Sequence, residues 1–301
     1  MAAQNRAGLV ASIRALLRQA NLKPFTDDDI IRVLEFAIDD LSNRLPFSVA
    51  ISRTNSIKDQ MEYILPSDTL SVLEIYYMDA AGATLKTAIT STTSPPLISD
   101  QIEVNEDITD FPTSGTLKID DEELSYTAKN LPNKKFTGIT RGVNSTTAAT
   151  HALNAGVIEA GKSWTLLTPT TTRALAADDA DWLNADSSVP EEYYLFNGIF
   201  GFSLPPSKTG YRNVIMREMI RPPSLSSDTS IVEGLSMSFN KAVIHYTAGE
   251  LAITLAQDDA SLNQANIWLR MYKEDVQLMD KTMYQRERGS MVMIPYTGRS
   301  L

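Results

Sequence analysis

Cysteine is absent from the 301 residues, and only two histidines, His151 and His245, are present. Without thiols there is no disulfide framework, Cys-ligated zinc site, iron–sulfur cluster or thiol nucleophile. Two histidines leave little material for a His-based metal centre. Positive charge is short as well: 27 Lys and Arg stand against 37 Asp and Glu, a formal net charge of −10. A general DNA-coating role is excluded, because that needs clustered Lys and Arg against phosphate. No run of about 18 apolar residues occurs, so no membrane span is expected. Arg6, Arg14 and Arg18 interrupt the apolar N-terminus, which is not the pattern of a secretory leader. The expected product is soluble and made in the cytoplasm.

What is present is enough for a folded core. The chain is 43% hydrophobic, which excludes a wholly disordered polypeptide. Its length suggests two domains or one large one. The first forty-odd residues read as two helices. Leu9, Ile13, Leu16 and Ala20 share one face at three–four spacing. Thr26 is a good N-cap, followed by Asp27, Asp28 and Asp29, whose charges suit a helix N-terminus. Ile30, Val33, Ala37, Leu41 and Leu45 make the buried stripe, and Pro46 ends the helix.

The period then changes. Met61, Tyr63 and Leu65 alternate with polar residues, and residues 72–78 are rich in β-branched and aromatic side chains, both strand signals. Gly82 marks a turn, and residues 91–96 read as a linker. Residues 97–162 look like a separate unit: short strands at 102–104, 116–119, 123–127, 135–140 and 157–159 are split by turn residues. This stretch holds ten acids and six bases, a net charge of −4. It reads as a small all-β domain inserted into a host domain, because residues 164–167 resume the earlier strand-like sequence.

A short helix is expected over residues 173–183. Asn197-Gly198 lies between two apolar runs, as a tight type I′ hairpin requires, and residues 211–220 read as a further strand. The C-terminal part is helical. Phe239, Ala242, Tyr246, Gly249, Ile253 and Ala256 follow a three–four spacing. Ser261 to Gln264 fits a capping box. Leu262, Ala265, Leu269, Tyr272, Val276, Met279 and Met283 continue the spacing over three heptads. This last helix is expected to span about 26 residues, roughly 39 Å. The short joint near Asp258-Asp259 predicts a helical hairpin. Its stripe serves either as the core of the host domain or as a surface against another copy, and core packing against 239–256 is the simpler reading.

Several groups invite a chemical reading. Residues 156–163, GVIEAGKS, match the phosphate-binding P-loop letter for letter. A P-loop also needs a buried strand before it and a helix after it, so that backbone N–H groups converge on phosphate. Here the interior VIE is itself strand-like, and Pro169 follows in a β-like run. Nucleotide binding through Gly156, Gly161, Lys162 and Ser163 is therefore an alternative and not the leading reading. Asp178, Asp179 and Asp181 near Trp182 could hold a divalent cation, yet their spacing does not fit a twelve-residue calcium loop and suits a solvated face. His245 sits among apolar residues, and His151 lies in a Ser/Thr/Ala-rich loop with no acidic residue close in sequence. No nucleophile motif accompanies either. Tyr193, Tyr194, Phe196 and Trp164 could form a sugar platform, a second alternative, although such aromatics are better explained as sheet core. The sequence offers no catalytic constellation, implies no cofactor and no metal, and the expected class is non-enzymatic.

The order of elements is suggestive. A helix pair is followed by LPSDTLSVLEIYYMD (65–79), a hairpin YYLFNGIFGFSLPPS (193–207), a strand ending in MIRPPSLSSDTSIVEG (219–234) and two long helices. This resembles the head-to-tail adaptor, or connector, proteins of tailed bacteriophages over roughly residues 1–90 and 164–288. FPTSGTLKIDDEELSYT (111–127) with FTGITRGVNSTTAATHALNAGV (136–157) separately resembles small β modules of phage virion proteins. The resemblance implies a homo-oligomeric ring, usually of twelve copies, beneath the portal protein in the neck of the virion. The helices would form the ring body and line the channel for double-stranded DNA, which passes at ejection without sequence-specific binding. Tail, nozzle or fibre proteins would meet the inserted domain, and no membrane is involved. The portal-docking arm would be Met291, Val292, Met293, Ile294, Pro295 and Tyr296.

The expected fold class is therefore α+β. The host domain, 1–96 with 163–288, joins an N-terminal helix pair and a C-terminal long helical hairpin to a β-sheet region. An inserted small all-β domain covers 97–162, and an arm covers 289–301. The expected hairpin-packing residues are Phe239, Tyr246, Ile253, Leu262, Leu269, Val276 and Met279.

Overall fold

The structure, a computed structural model, describes residues 5–19, 25–45, 48–90, 101–222, 224–230, 237–255 and 259–289. The linker at 91–96, the joint at Asp258, Ala20, Pro46, Ala256, the side chain of Met283 and the arm Met291–Tyr296 lie outside the described residues. The fold is α+β. It divides into two compact units, residues 1–49 with 219–301, and residues 50–218.

The first unit opens with α1 (Arg6–Gln19) and α2 (Asp27–Arg44). Thr26 caps α2 as its composition predicts. Its side chain accepts from the Asp29 N–H, and the Asp29 carboxylate accepts from the Thr26 N–H, a reciprocal capping box. The helix stops at Leu45, whose extended backbone returns an N–H to the Leu41 carbonyl. Both helices turn a slightly different face inward from the predicted one. In α1 the buried residues are Leu9, Val10, Ile13 and Leu17, with Leu16 half-buried; in α2 Leu34 and Ile38 join Ile30, Ala37 and Leu41, while Val33 lies at the margin.

The second unit runs through β1 (Val49–Thr54), β2 (Glu62–Ile64), β3 (Thr69–Tyr77) and β4 (Gly82–Thr84). It continues with β5 (Gln101–Glu103), β6 (Gly115–Ile119), β7 (Glu122–Tyr126), β8 (Ala128–Asn130), β9 (Lys135–Thr137), β10 (Thr140–Arg141) and β11 (Gly156–Glu159). The remainder is β12 (Thr165–Leu166), β13 (Thr168–Pro169), α3 (Thr172–Asp178), β14 (Glu192–Phe196), β15 (Ile199–Phe202) and β16 (Val214–Ile220). Two four-stranded sheets, β1-β16-β3-β12 and β13-β14-β15-β2, face one another across a core of Tyr63, Ile75, Tyr77, Phe200, Phe202, Val214 and Met216. Tyr63 stacks on Phe200 at 5.0 Å and meets Phe202 edge-on at 5.5 Å. A five-stranded sheet, β10-β7-β6-β11-β4, and a three-stranded one, β5-β9-β8, enclose a second core around Leu117, Ile119, Leu124, Phe136 and Val157. The Asn197-Gly198 turn has φ of 47° and 77°, the positive pair a type I′ turn demands.

The small β module matches the short strands read from residues 97–162, but its core begins earlier, at Ala81, because β4 pairs with β11. The compact units divide at 49/50 and 218/219, where the sequence suggests 96/97 and 162/163. The reason lies in the packing: Tyr211 covers both Gly82 and Gly156, Thr209 donates its N–H to Asp110, and Lys208 pairs with Glu159 and Asp79. These contacts tie the module to the sandwich more extensively than a linker would. Gly82 is consequently not a turn residue. It lies in β4, and a Cβ there would fall 2.1 Å from the Tyr211 backbone nitrogen. The helix expected over 173–183 is shorter: α3 is capped by Thr171, ends at Asp179, and is followed by a 3-10 turn, Trp182–Asn184.

The chain returns to the first unit with α4 (Met237–Leu255) and α5 (Asp259–Gly289). Ser261 is inside α5, not at its cap, because the helix starts two residues earlier. At 31 residues α5 is about 46 Å long, against about 28 Å for the 19-residue α4. Helix α4 packs against α1, α2 and α5. That explains why Ala242, Val243, Ala248, Leu251 and Ala252 leave it no polar face. Gly249 sits where a Cβ would meet the Leu269 side chain at 2.8 Å, so the hairpin helices approach closely.

Candidate functional site

The helical unit presents the surfaces on which an assembly role would rest. Among the predicted packing residues, Phe239 and Met279 are buried, and Tyr246, Leu269 and Val276 are half-buried against the core. Ile253 and Leu262 are 39% and 41% exposed, at the margin of the hairpin. On α5, Trp268, which the predicted stripe omits, is buried beside the predicted Tyr272, at 5% and 4% exposed. The inward stripe of α5 is thus Ala265, Trp268, Tyr272 and Met279. Helix α5 is apolar on more than this face: Ile267 and Met271 are 40% and 38% exposed, and Leu278 is exposed on the same side.

Between α2 and α4 lies an open groove of about 400 Å³, lined by Phe36, Tyr246, Asp39, Asp40 and Glu250. Phe36 is largely exposed. Two of the carboxylates already hold cations, since Asp40 takes Arg44 at 2.9 Å and Asp39 takes Arg221 at 3.4 Å. Asp40 also accepts from the Tyr272 hydroxyl. Burial and that bond to Asp40 push the Tyr272 phenol well above its ordinary value. Tyr272 in turn meets the Tyr246 ring edge-on at 5.0 Å. His245 bonds Asp275 across the hairpin at 3.1 Å, a packing role for a half-buried side chain.

The phosphate-motif letters have other uses here. Gly156 to Glu159 is strand β11, paired on both sides with β4 and β6. Gly156 leaves room for the Tyr211 ring, which a Cβ would approach to 2.2 Å. Gly161 takes φ +76° in the turn, and Lys162 pairs with Glu159 at 3.1 Å. Strand β12 follows instead of a helix. The four aromatics of the sugar-platform reading do not converge on one surface. Tyr193 and Tyr194 are 4% and 1% exposed, while Phe196 and Trp164 are 58% and 39% exposed. Tyr194 is covered by Trp182 and donates to Glu62 at 2.7 Å. Asp179 and Asp181 are spent on local turns, accepting from the Asp181 N–H and the Asn184 amide. Among the described residues no group of three or more His, Asp or Glu is arranged to hold a metal ion. Among them, too, no helix is long and apolar enough to cross a membrane.

One constellation has no counterpart in the sequence reading. In the small β module Arg141, Glu122 and His151 are all buried, and Asp120 stands beside them on the β6–β7 turn. Glu122 accepts from the Arg141 guanidinium, from the Gly142 N–H at 3.2 Å and from the Ala149 N–H at 2.9 Å. His151 places Nε2 2.8 Å from Glu122 and Nδ1 2.8 Å from Asp120. Burial alone would push the Glu122 carboxyl up; the bonds from Arg141, Ala149 and His151 outweigh it and hold the group down at about 2. The cluster acts as a polar pin between β7, β10 and the 142–151 loop. Its available signal was parity: Glu122 shares one face of β7 with Leu124 and Tyr126, so alternation places that carboxylate inside. No known protein family matches this chain, and no curated protein matches it.

Proposed function

We propose that this chain is a structural, non-enzymatic protein of a tailed-bacteriophage particle, a subunit of the ring that joins the portal to the tail and surrounds the DNA channel. The observation that carries the reading is the assembly of the helical unit. The pairs α1–α2 and α4–α5 come from opposite ends of the chain and share one core, the β portion falling between them in sequence. That arrangement agrees with the order of elements on which the resemblance to connector proteins rests. The exposed apolar residues Ile267 and Met271 on α5 give neighbouring copies something to bury. The acidic balance is consistent with a channel wall: twelve chains of net charge −10 carry −120 between them, which discourages DNA from adhering in transit.

The test is the mass of the purified protein mixed with the portal protein of the same particle. A ring-sized assembly is expected, and Ile267→Glu with Met271→Glu should lower its yield while leaving the far-UV spectrum of the isolated chain unchanged. A chain that remains a monomer and ignores the portal would overturn the proposal.

A further inference from the structure

We propose that His151 works as a proton-controlled latch on the β6–β7 turn: the doubly protonated ring ties Asp120 to the buried Glu122, and loss of one proton frees Asp120 to solvent. The geometry of the ring carries this inference. Both imidazole nitrogens lie 2.8 Å from a carboxylate oxygen, Nδ1 from Asp120 and Nε2 from Glu122. A neutral imidazole has one donor and one acceptor, so it would set a lone pair against one of the two carboxylates. Only the imidazolium donates to both.

The ring cannot escape this choice by turning away. Its side chain is 1% exposed, and the His151 backbone is tied to Ile89 in both directions, at 2.8 and 2.9 Å. Glu122 is equally fixed, with no exposed side-chain surface and with donors from Arg141, Gly142 and Ala149. Asp120 differs. It is one of two residues connecting Ile119 to Glu122, its side chain is 62% exposed, and its backbone has φ +52°. A non-glycine residue in that region needs support from its surroundings. Asp120 is therefore the member that can leave.

Among the described residues, the charged groups paired with the ring or with Glu122 are Asp120 from the turn, Glu122 from β7 and Arg141 from β10; Ile89 and Ala149 bring only backbone. With the ring charged, two positive and two negative groups balance. With it neutral, a net negative charge remains, and the exposed carboxylate relieves it by moving into water. Because only the doubly protonated ring donates to both carboxylates, the latch is closed on the acid side of the ring's proton loss and open on the alkaline side.

The experiment follows the His151 ring and the Asp120 and Asp121 amides of the full chain by ¹H–¹⁵N NMR from pH 5 to 9. The expected result is two protonated ring nitrogens in the closed form, with the turn amides shifting in step with the loss of one ring proton. Asp120→Asn, on an exposed turn, should abolish the step at Asp121 and move the ring transition to lower pH. A ring that titrates while the turn amides stay still would overturn the proposal. So would a ring carrying a single proton throughout, or a transition unchanged in Asp120→Asn.

Discussion

Gly82 and Gly156 are both covered by one residue. Tyr211 sets its backbone nitrogen and Cβ against Gly82 and its ring against Gly156, and no side chain can replace either hydrogen without displacing it. Gly82→Ala would drive its Cβ into backbone, so it should cost about 2–4 kcal/mol in urea unfolding, at the upper end of overpacking. Gly161→Ala meets open space and should cost only about 1 kcal/mol, for its positive φ alone. Equal effects at the two sites would contradict this account. The sequence could not separate these glycines, because a motif match and a packing requirement use the same letter. Glu122 behaves differently, since its role is electrostatic. Its carboxyl is held at about 2 in the fold, below the ordinary 4.5, so its contribution is complete above pH 4.5 and is lost as pH falls from there towards 2. Glu122→Gln removes the carboxylate paired with the buried Arg141 and should cost about 3–5 kcal/mol at pH 7. It should also flatten the acid limb of a stability–pH curve. An unchanged acid limb would show that the cluster does not stabilise the module.

At the scale of elements, local chemistry was legible and facing was not. The Thr26 cap and the Asn-Gly hairpin are written in single residues whose backbone needs are specific. Thr26→Ala should accordingly lower stability by about 0.5–2 kcal/mol, read by thermal melting. Helix α5 shows the opposite case. Its apolar residues include Ile267, Trp268, Leu269 and Met271, which surround much of the circumference, so two heptad stripes fit equally well. Tertiary packing adds Trp268 to the predicted Ala265, Tyr272 and Met279 and leaves Leu262 at the margin. Trp268→Ala should cost about 3–5 kcal/mol, whereas Leu262→Ala should stay within about 1 kcal/mol. The reverse order in a denaturant titration would restore the predicted stripe.

For the whole molecule, periodicity made the α+β class legible. The boundaries of the β portion were not, because the tie between module and sandwich is made by Tyr211, Lys208 and Thr209, far from either strand edge in sequence. The Arg141–Glu122–His151 cluster stayed hidden for the same reason: its members are separated along the chain and converge only once the strands pair. The proposed function assigns the molecule's role to surfaces and not to reacting groups. A low-resolution image of the native particle, with an antibody fragment bound to this chain, tests that most directly. The account predicts added density in a ring at the neck, between capsid and tail; density on the capsid shell or along the tail, or a particle that lacks the chain, would contradict it.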